Sequence, residues 1–229
     1  MNHLPHIVST KKLTKKQLHR LESSRLQVTN SDFINRTIQI PEHIDPDSIS
    51  KIIVLTSKTA VMAWIELAKY FMLELTQYSF YCIEFATQQE ALKHGLSIKG
   101  TAKDASSLAN EILIDSLIRK VTFICGNLRR EQLSVKLKQG NVEVNEIITY
   151  HTKLTPHKIT SVYQAVLFFS TSTVDSFLLS NAINNTRAFC IGKTTAHHAM
   201  LAGFHKIDIA TVSSVDELIT VVVSYYSKN

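Results

Sequence analysis

The chain has 229 residues, of which 45% are hydrophobic and 19% are charged. This length and composition allow one large domain or two small ones with buried cores, and they exclude a disordered or low-complexity chain. No apolar run reaches the roughly 20 residues that a membrane-spanning helix needs. The formal net charge of +6 favours polyanionic ligands without identifying one.

The N-terminal segment MNHLPHIVSTKK has neither the long apolar stretch nor the small-residue cleavage site of a secretion signal, so we expect a cytoplasmic protein. Cys82, Cys125 and Cys190 are far apart and each lies in an apolar run, which is typical of buried thiols in a reducing compartment. A catalytic thiol is the alternative. The histidines show no metal-site spacing, and no zinc-finger or RNP-type motif is present, so we expect neither a metal nor a nucleic-acid partner.

Short apolar runs, each followed by a polar loop and then by apolar residues at helical spacing, recur along the chain. In chain order, these apolar runs are HIVS, IIVL, FYCI, VTFICG, AVLFF and AFCI. Strand, loop and helix in regular alternation predict parallel β-sheets covered by helices on both faces. The predicted fold class is therefore α/β.

The sequence repeats itself at a spacing near 110 residues. IIVLTSKTAVMAW (52–64) aligns with AVLFFSTSTVDSF (165–177), and FYCIEFATQQEALKHGL (80–96) aligns with AFCIGKTTAHHAMLAGF (188–204). A period of this size is that of a domain rather than of a solenoid, so one α/β design occurs twice. The aligned pairs include Ser57 and Ser170, Trp64 and Phe177, Thr87 and Thr195, and Gly95 and Gly203. We expect Trp64 and Phe177 to be core residues.

The second copy lacks a counterpart of VTFICGNLRREQLSVKL, and the best match lies at the N-terminus. There HIVSTKKLTKKQLHRL sets Val8 against Phe123. We therefore expect a discontinuous α/β domain with a second α/β domain inserted into it, and a two-stranded linker where the chain crosses twice. The expected bounds are 1–37 plus 154–229 for the first domain, 40–150 for the second, and linkers near 38–40 and 150–154.

Polar loops follow the predicted strands at the end where parallel sheets bind ligands, next to helix N-termini. They predict a site for a ligand with several carboxylates or phosphates. Three alternatives apply to individual residues. Arg129 and Arg130 could lie on a solvated helix face, and Thr87 and Thr195 could be helix N-caps. GKTT resembles the end of a P-loop, but Arg187 stands where that motif needs glycine, so we reject a nucleotide site.

The blocks LTSKTAV, ICGNLRREQL, TYHT, FFSTSTV, IGKTTAHHAMLAGF and SVDEL resemble the uroporphyrinogen-III synthase family in this order and spacing. The resemblance covers most of residues 50–225. It implies two similar α/β domains joined by a two-stranded linker, with the active site in the cleft between them. Lys58, Thr171 and Lys193 depart from the prolines that are frequent in the family, and IEFATQ lacks its usual glycine.

The resemblance also implies a reaction. The linear tetrapyrrole hydroxymethylbilane, a polyanion, loses its terminal hydroxyl as water, inverts ring D through a spiro intermediate and closes to uroporphyrinogen III, without metal or organic cofactor. We expect a monomer without a membrane partner, and contact with the upstream deaminase stays open. The alternative is a two-lobed protein that binds a small polyanion without chemistry.

Carried over residue by residue, the resemblance places the phenol of Tyr150 near the leaving hydroxyl, where it could donate a proton. It places loop hydroxyls and backbone N–H groups, including those of Gly126 and Asn127, around the substrate carboxylates. The expected substrate-binding residues are Ser57, Thr87, Gly126, Asn127, Arg129, Arg130, Ser170, Lys193, Thr194 and Thr195.

Overall fold

The computed structural model of the protein describes residues 4–228. Its strands are β1 (His6–Ser9), β2 (Gln27–Asn30), β3 (Ile34–Ile38), β4 (Ile52–Leu55), β5 (Ser79–Ile83), β6 (Ile98–Ala102), β7 (Lys120–Gly126), β8 (Glu143–Leu154), β9 (Ala165–Phe168), β10 (Arg187–Cys190) and β11 (Lys206–Ile209). Its α-helices are α1 (Lys15–Ser23), α2 (Lys58–Tyr70), α3 (Phe85–Lys93), α4 (Ala105–Ile114), α5 (Gln132–Gln139), α6 (Thr171–Leu178), α7 (Lys193–Leu201) and α8 (Val215–Lys228).

Contacts between Cα atoms divide the chain into two compact units. Unit 1 consists of Met1–Asn35 and Lys153–Asn229, and unit 2 of Arg36–Thr152. Residues 1–3 and 229 lie outside the described residues, so the outer limits of the expected discontinuous domain are not described. Among residues 4–228, no helix is both long and apolar enough to cross a bilayer.

Unit 2 contains a six-stranded sheet in the order β3-β8-β7-β4-β5-β6. β4 pairs in parallel with both β5 and β7, and β7 pairs in parallel with β8. The chain first builds outward from β4 through β5 to β6, and then returns to the other side of β4 with β7. The boundary between β4 and β7 is therefore the topological switch point, where sheets of this kind bind ligands.

Unit 1 repeats this arrangement in a permuted chain order. Its five-stranded sheet runs β11-β10-β9-β1-β2 with parallel pairings, which matches β6-β5-β4-β7-β8 strand for strand. The switch point of unit 1 accordingly lies between β9 and the N-terminal strand β1. The predicted α/β class, with two similar parallel sheets flanked by helices, is confirmed.

The chain crosses between the units inside β3 and inside β8, which are neighbours in one sheet. The contact boundaries fall after residues 35 and 152, and the linkers expected from sequence were near 38–40 and 150–154. The division into two separate domains with these bounds stays a prediction, and we further expect the two units to unfold independently.

Each sheet buries both faces, as the apolar strand runs predicted. Along β4, Ile53 and Leu55 join one core cluster of unit 2 and Val54 joins the other, because successive strand residues point to opposite faces. In unit 1, β9 divides its residues in the same way. Trp64 and Phe177 are fully buried in their respective units, so both are core residues as expected.

Independent unfolding of the two units can be tested with Phe177→Ala. Phe177 is fully buried in unit 1 with its ring 5.6 Å from that of Phe168, so its removal should destabilise that unit by about 3–5 kcal/mol. Trp64 is the only tryptophan and reports on unit 2 alone. In denaturant, circular dichroism should gain an early transition while the Trp64 fluorescence transition stays in place.

The matched control is Phe80→Ala in unit 2, because the centroid of the Phe80 ring lies 5.7 Å from that of Trp64. This substitution should move the Trp64 transition to lower denaturant. If Phe177→Ala moves the Trp64 transition as far as Phe80→Ala does, the two units unfold as one cooperative body and the domain prediction is wrong.

Candidate active site

The helix following the central strand of each unit begins at a serine N-cap. In unit 2, Ser57 Oγ accepts a hydrogen bond from the N–H of Ala60 at 3.2 Å at the start of α2. In unit 1, Ser170 caps α6 in the same way, accepting from the N–H of Thr173 at 3.4 Å. Each cap contributes about 1 kcal/mol to its helix. The caps also place one hydroxyl at the carboxyl edge of each sheet.

Thr87 and Thr195 do not cap helices, so that alternative is wrong. Each is the third residue of its helix, and each is buried, with 3% and 5% of its surface exposed. The N-cap positions belong to Glu84 and Gly192. Lys193 and Thr194, by contrast, are exposed in the first turn of α7.

The two equivalent N-caps differ in backbone conformation. Gly192 is extended, whereas Glu84 has a φ of 64° and a ψ of 145°, a region that favours glycine. The carbonyl of Glu84 accepts hydrogen bonds from the N–H groups of Thr87 and Gln88. Glycine would adopt this conformation at position 84 without strain.

Tyr150, on β8, lies beside the switch point of unit 2. Its phenol oxygen is 3.5 Å from Ser57 Oγ, and the ring is half-buried against the core. The ring occupies the space beside Gly126, the last residue of β7, where a side chain would otherwise lie. A Cβ atom at position 126 would overlap Cε2 of the ring and lie 2.8 Å from its Cδ2 and Cζ atoms. Only glycine at this position allows the observed placement of Tyr150.

Asn127 joins the loop after β7 to the end of β8. Its side chain accepts from the N–H of Thr152 at 2.7 Å and donates to the carbonyl of the same residue at 3.3 Å. Its own N–H donates to the carbonyl of Tyr150 at 3.2 Å. The expectation that this N–H is available to a substrate carboxylate is therefore corrected, because a backbone carbonyl already occupies it.

The two adjacent arginines have different environments. Arg129 forms an ion pair with Glu146, which also accepts a hydrogen bond from Ser134. Burial raises the pKa of Glu146, but the bonds from Ser134 and Arg129 outweigh it and hold that pKa below its usual value. Arg130 is exposed and has no ion-pair partner within residues 4–228. Of the two adjacent arginines, Arg130 is therefore the one whose positive charge is not compensated by a carboxylate.

The switch point of unit 1 brings forward residues that the sequence interpretation did not assign. The loop after β1 carries Lys11 and Lys12, both exposed. It is held against β9 by Thr10, whose Oγ1 donates to the carbonyl of Leu167 at 2.6 Å. The internal repeat could have assigned these two lysines to the site. Aligning Val8 with Phe123 places Lys11 and Lys12 opposite Gly126 and Asn127, which were predicted to bind substrate.

The three cysteines are free and buried. Burial raises the pKa of Cys82, Cys125 and Cys190 to about 12, so each thiol is protonated near neutral pH and the catalytic-thiol alternative has no support. No cluster of three or more potential metal ligands occurs in the part of the chain that the structure describes.

The bonds of Asn127 predict a measurable contribution to stability. Asn127→Ala leaves two backbone groups of Thr152 without their partner, so the free energy of unfolding should fall by about 1–3 kcal/mol. Denaturant unfolding followed by Trp64 fluorescence reports this directly. Asn127→Asp is the matched control, because it keeps the acceptor for the N–H of Thr152 and should lose less. An unchanged midpoint in Asn127→Ala would show that the two bonds do not form.

Comparisons with known proteins agree with this architecture. The family described as uroporphyrinogen-III synthase HemD matches residues 10–220. The uroporphyrinogen-III synthetase of Helicobacter pylori superimposes with a TM-score of 0.68 at 17% identity, over 97% of this chain and 100% of that one. A mutant uroporphyrinogen III synthase of Thermus thermophilus gives 0.74 at 11% identity, over 98% and 100%.

The wild-type enzyme of Thermus thermophilus gives a TM-score of 0.56 at 13% identity, over 98% of both chains. At such identities these structures show a common fold. A search of curated proteins gave no significant match. The family match spans nearly the whole chain, which confirms the resemblance seen in the motifs: this protein belongs to the uroporphyrinogen-III synthase family.

Proposed function

We propose that this member of the family acts as a cyclising hydro-lyase. It converts hydroxymethylbilane to uroporphyrinogen III with inversion of ring D and loss of one water molecule. Family membership supports the substrate and the product, and the assignment to the lyases follows from the water that is eliminated. The substrate is a polyanion, so the excess of 25 basic over 19 acidic residues favours its approach.

One observation supports an active centre in unit 2. The phenol of Tyr150 lies at the carboxyl edge of the sheet, beside the switch point, 3.5 Å from the hydroxyl of Ser57. The Oγ atom of Ser57 accepts from the N–H of Ala60 and still has its own proton to donate. If Ser57 donates that proton to the phenol oxygen, the proton of Tyr150 remains available to a ligand.

In the proposed step, Tyr150 donates its proton to the terminal hydroxyl of the substrate as the C–O bond breaks. The electron pair of the pyrrole ring expels the hydroxyl as water, so the protein needs to supply only modest acid assistance. Rearomatisation after ring closure releases one proton, which restores the phenol. Substrate positioning and exclusion of bulk water then favour closure to isomer III over spontaneous closure to isomer I.

The charged residues contribute unequally to substrate binding. Arg130, Lys193, Lys11 and Lys12 are exposed at the carboxyl edges of their sheets, and we assign the contacts with substrate carboxylates to them. Arg129 is compensated by Glu146, so we assign it to positioning the loop. The hydroxyls of Ser57 and Ser170, the backbone of Gly126 at the end of β7, and the first turns that contain Thr87, Thr194 and Thr195 complete the proposed set. Asn127 is assigned to positioning the loop through its bonds to Thr152.

The remaining features of the function are expectations from the family. We propose a cytoplasmic monomer that uses no cofactor and makes at most transient contact with the upstream deaminase. The alternative, a two-lobed protein that binds a polyanion without chemistry, has no observation in its favour.

Incubation of the purified protein with freshly prepared hydroxymethylbilane tests the proposed reaction. The expected result is uroporphyrinogen III as the main product, formed faster than the spontaneous reaction yields isomer I. Chromatographic separation of the two isomers after oxidation measures the ratio. A product mixture identical to that of the protein-free reaction would support the binding protein instead.

Tyr150→Phe tests the proposed acid. The phenol should help mainly in the transition state, so kcat should fall with little change in KM. Acid assistance is typically worth about 10²–10⁴-fold, and the low end is expected because the leaving group departs readily. Tyr70→Phe is the matched control, because Tyr70 is 60% exposed at the end of α2. Full turnover in Tyr150→Phe would remove the acid role.

A further inference from the structure

Unit 1 contains a second concave site at the opposite edge of its sheet. A cavity of about 820 Å³ is lined by residues that stand at the amino ends of the strands, including Pro5 before β1, Gln164 before β9, Arg187 at the start of β10 and Lys206 at the start of β11. A four-residue strand spans roughly 13 Å, so this amino-end cavity is separated from Ser170 and Lys11 by the length of the strands. Its volume is that of a small-molecule site.

The lining of the amino-end cavity is positively charged. Lys158, Arg187 and Lys206 contribute cations, and none of the described residues that line it is Asp or Glu. Lys158 and Lys206 are exposed and have no ion-pair partner within residues 4–228. Two cations at one cavity without a compensating carboxylate favour an anionic ligand.

Arg187 is held in a fixed orientation. Its Nη1 atom donates to Asp208 at 2.6 Å, and its guanidinium carbon lies 4.3 Å from the centroid of the Tyr225 ring. The side chain keeps 24% of its surface exposed. Because Asp208 compensates its charge, Arg187 orders the wall of the cavity by holding the Tyr225 ring in place, and the uncompensated charge comes from Lys158 and Lys206.

Aromatic rings also line the amino-end cavity. Tyr163, Tyr225 and Tyr226 line the cavity, and the rings of Tyr225 and Tyr226 meet edge to face with their centroids 5.1 Å apart. Burial raises the pKa of Tyr226 to about 12, so this phenol stays neutral near pH 7. Neutral aromatic rings beside cations suit a ligand that combines a flat apolar body with a negative group.

The cations that begin β10 and β11 and the two tyrosines of α8 are not required by the fold, because the equivalent strands and helix of unit 2 do not carry them. The equivalent strands β5 and β6 begin with Ser79 and Ile98 where β10 and β11 begin with Arg187 and Lys206. Helix α4 has 10 residues and α8 has 14, so unit 2 has no helical counterpart of Tyr225 and Tyr226. The same α/β design therefore folds without these groups.

We propose that the amino-end cavity of unit 1 binds a small aromatic anion, with Lys158 and Lys206 contacting its negative group and the tyrosine rings contacting its flat body. This site is distinct from the proposed substrate site and does not depend on the proposed function.

Titration with 8-anilino-1-naphthalenesulfonate, followed by its fluorescence, tests the proposal on the full chain. The expected result is saturable binding of one molecule. The double variant Lys158→Glu, Lys206→Glu should weaken it by about tenfold or more, because each substitution turns an attraction into a repulsion. The control variant Lys15→Glu, Lys16→Glu makes the same charge change on the exposed face of α1 and should change binding less than about twofold, since charges beyond roughly 8 Å are screened at physiological salt.

A second probe separates the charge from the apolar body. N-phenyl-1-naphthylamine has the same rings without the sulfonate, so it should bind more weakly and should not respond to the double variant. Unaltered unfolding midpoints would show that both double variants are folded. The proposal is overturned if the sulfonate does not bind saturably, if both double variants weaken it equally, or if the uncharged probe binds as tightly.

Discussion

Parallel pairing of β4 with β7 is the interaction on which the proposed active centre depends. The register sets Leu55 opposite Ile124, so the chain leaves both strands at the same edge and Ser57 and Gly126 follow two residues later. Pairing of β7 with β8 then sets Gly126 opposite Tyr150. Because position 126 carries no side chain, the tyrosine ring can cover the end of β7 and bring its phenol to the serine hydroxyl. These two strand pairings together bring residues from three distant segments to one edge of the sheet.

The same pairing recurs in unit 1 with different chemistry. Ser9 on β1 is opposite Leu167 on β9, and the following loops carry the hydroxyl of Ser170 and the lysines 11 and 12. The edge of unit 2 therefore offers a neutral donor, the phenol, together with the exposed Arg130, whereas the edge of unit 1 offers the exposed Lys11 and Lys12.

The sequence predicted the fold well because the information was local or repeated. Buried strands are short apolar runs, and the alignment of Val8 with Phe123 anticipated that β1 completes the C-terminal sheet. The site was less predictable. Thr87 was open to interpretation as a cap because nothing local marks Glu84, with its strained φ of 64°, as the start of α3. The partners of Asn127 and Arg129 lie 25 and 17 residues away on β8, and such long-range contacts leave no local pattern.

The central claim is that Gly126 serves catalysis by letting the Tyr150 ring reach its position. The most direct test is kcat for Gly126→Ala, Tyr150→Phe and the double variant, with folding checked by Trp64 fluorescence. If the methyl group of Gly126→Ala lowers kcat only by displacing the Tyr150 phenol, it should lower kcat no further once Tyr150→Phe has removed that phenol. The account predicts that each single variant loses turnover and that the double variant is no slower than Tyr150→Phe within about twofold, the non-additivity expected of coupled residues. Losses that multiply in the double variant, or full turnover in folded Gly126→Ala, would contradict it.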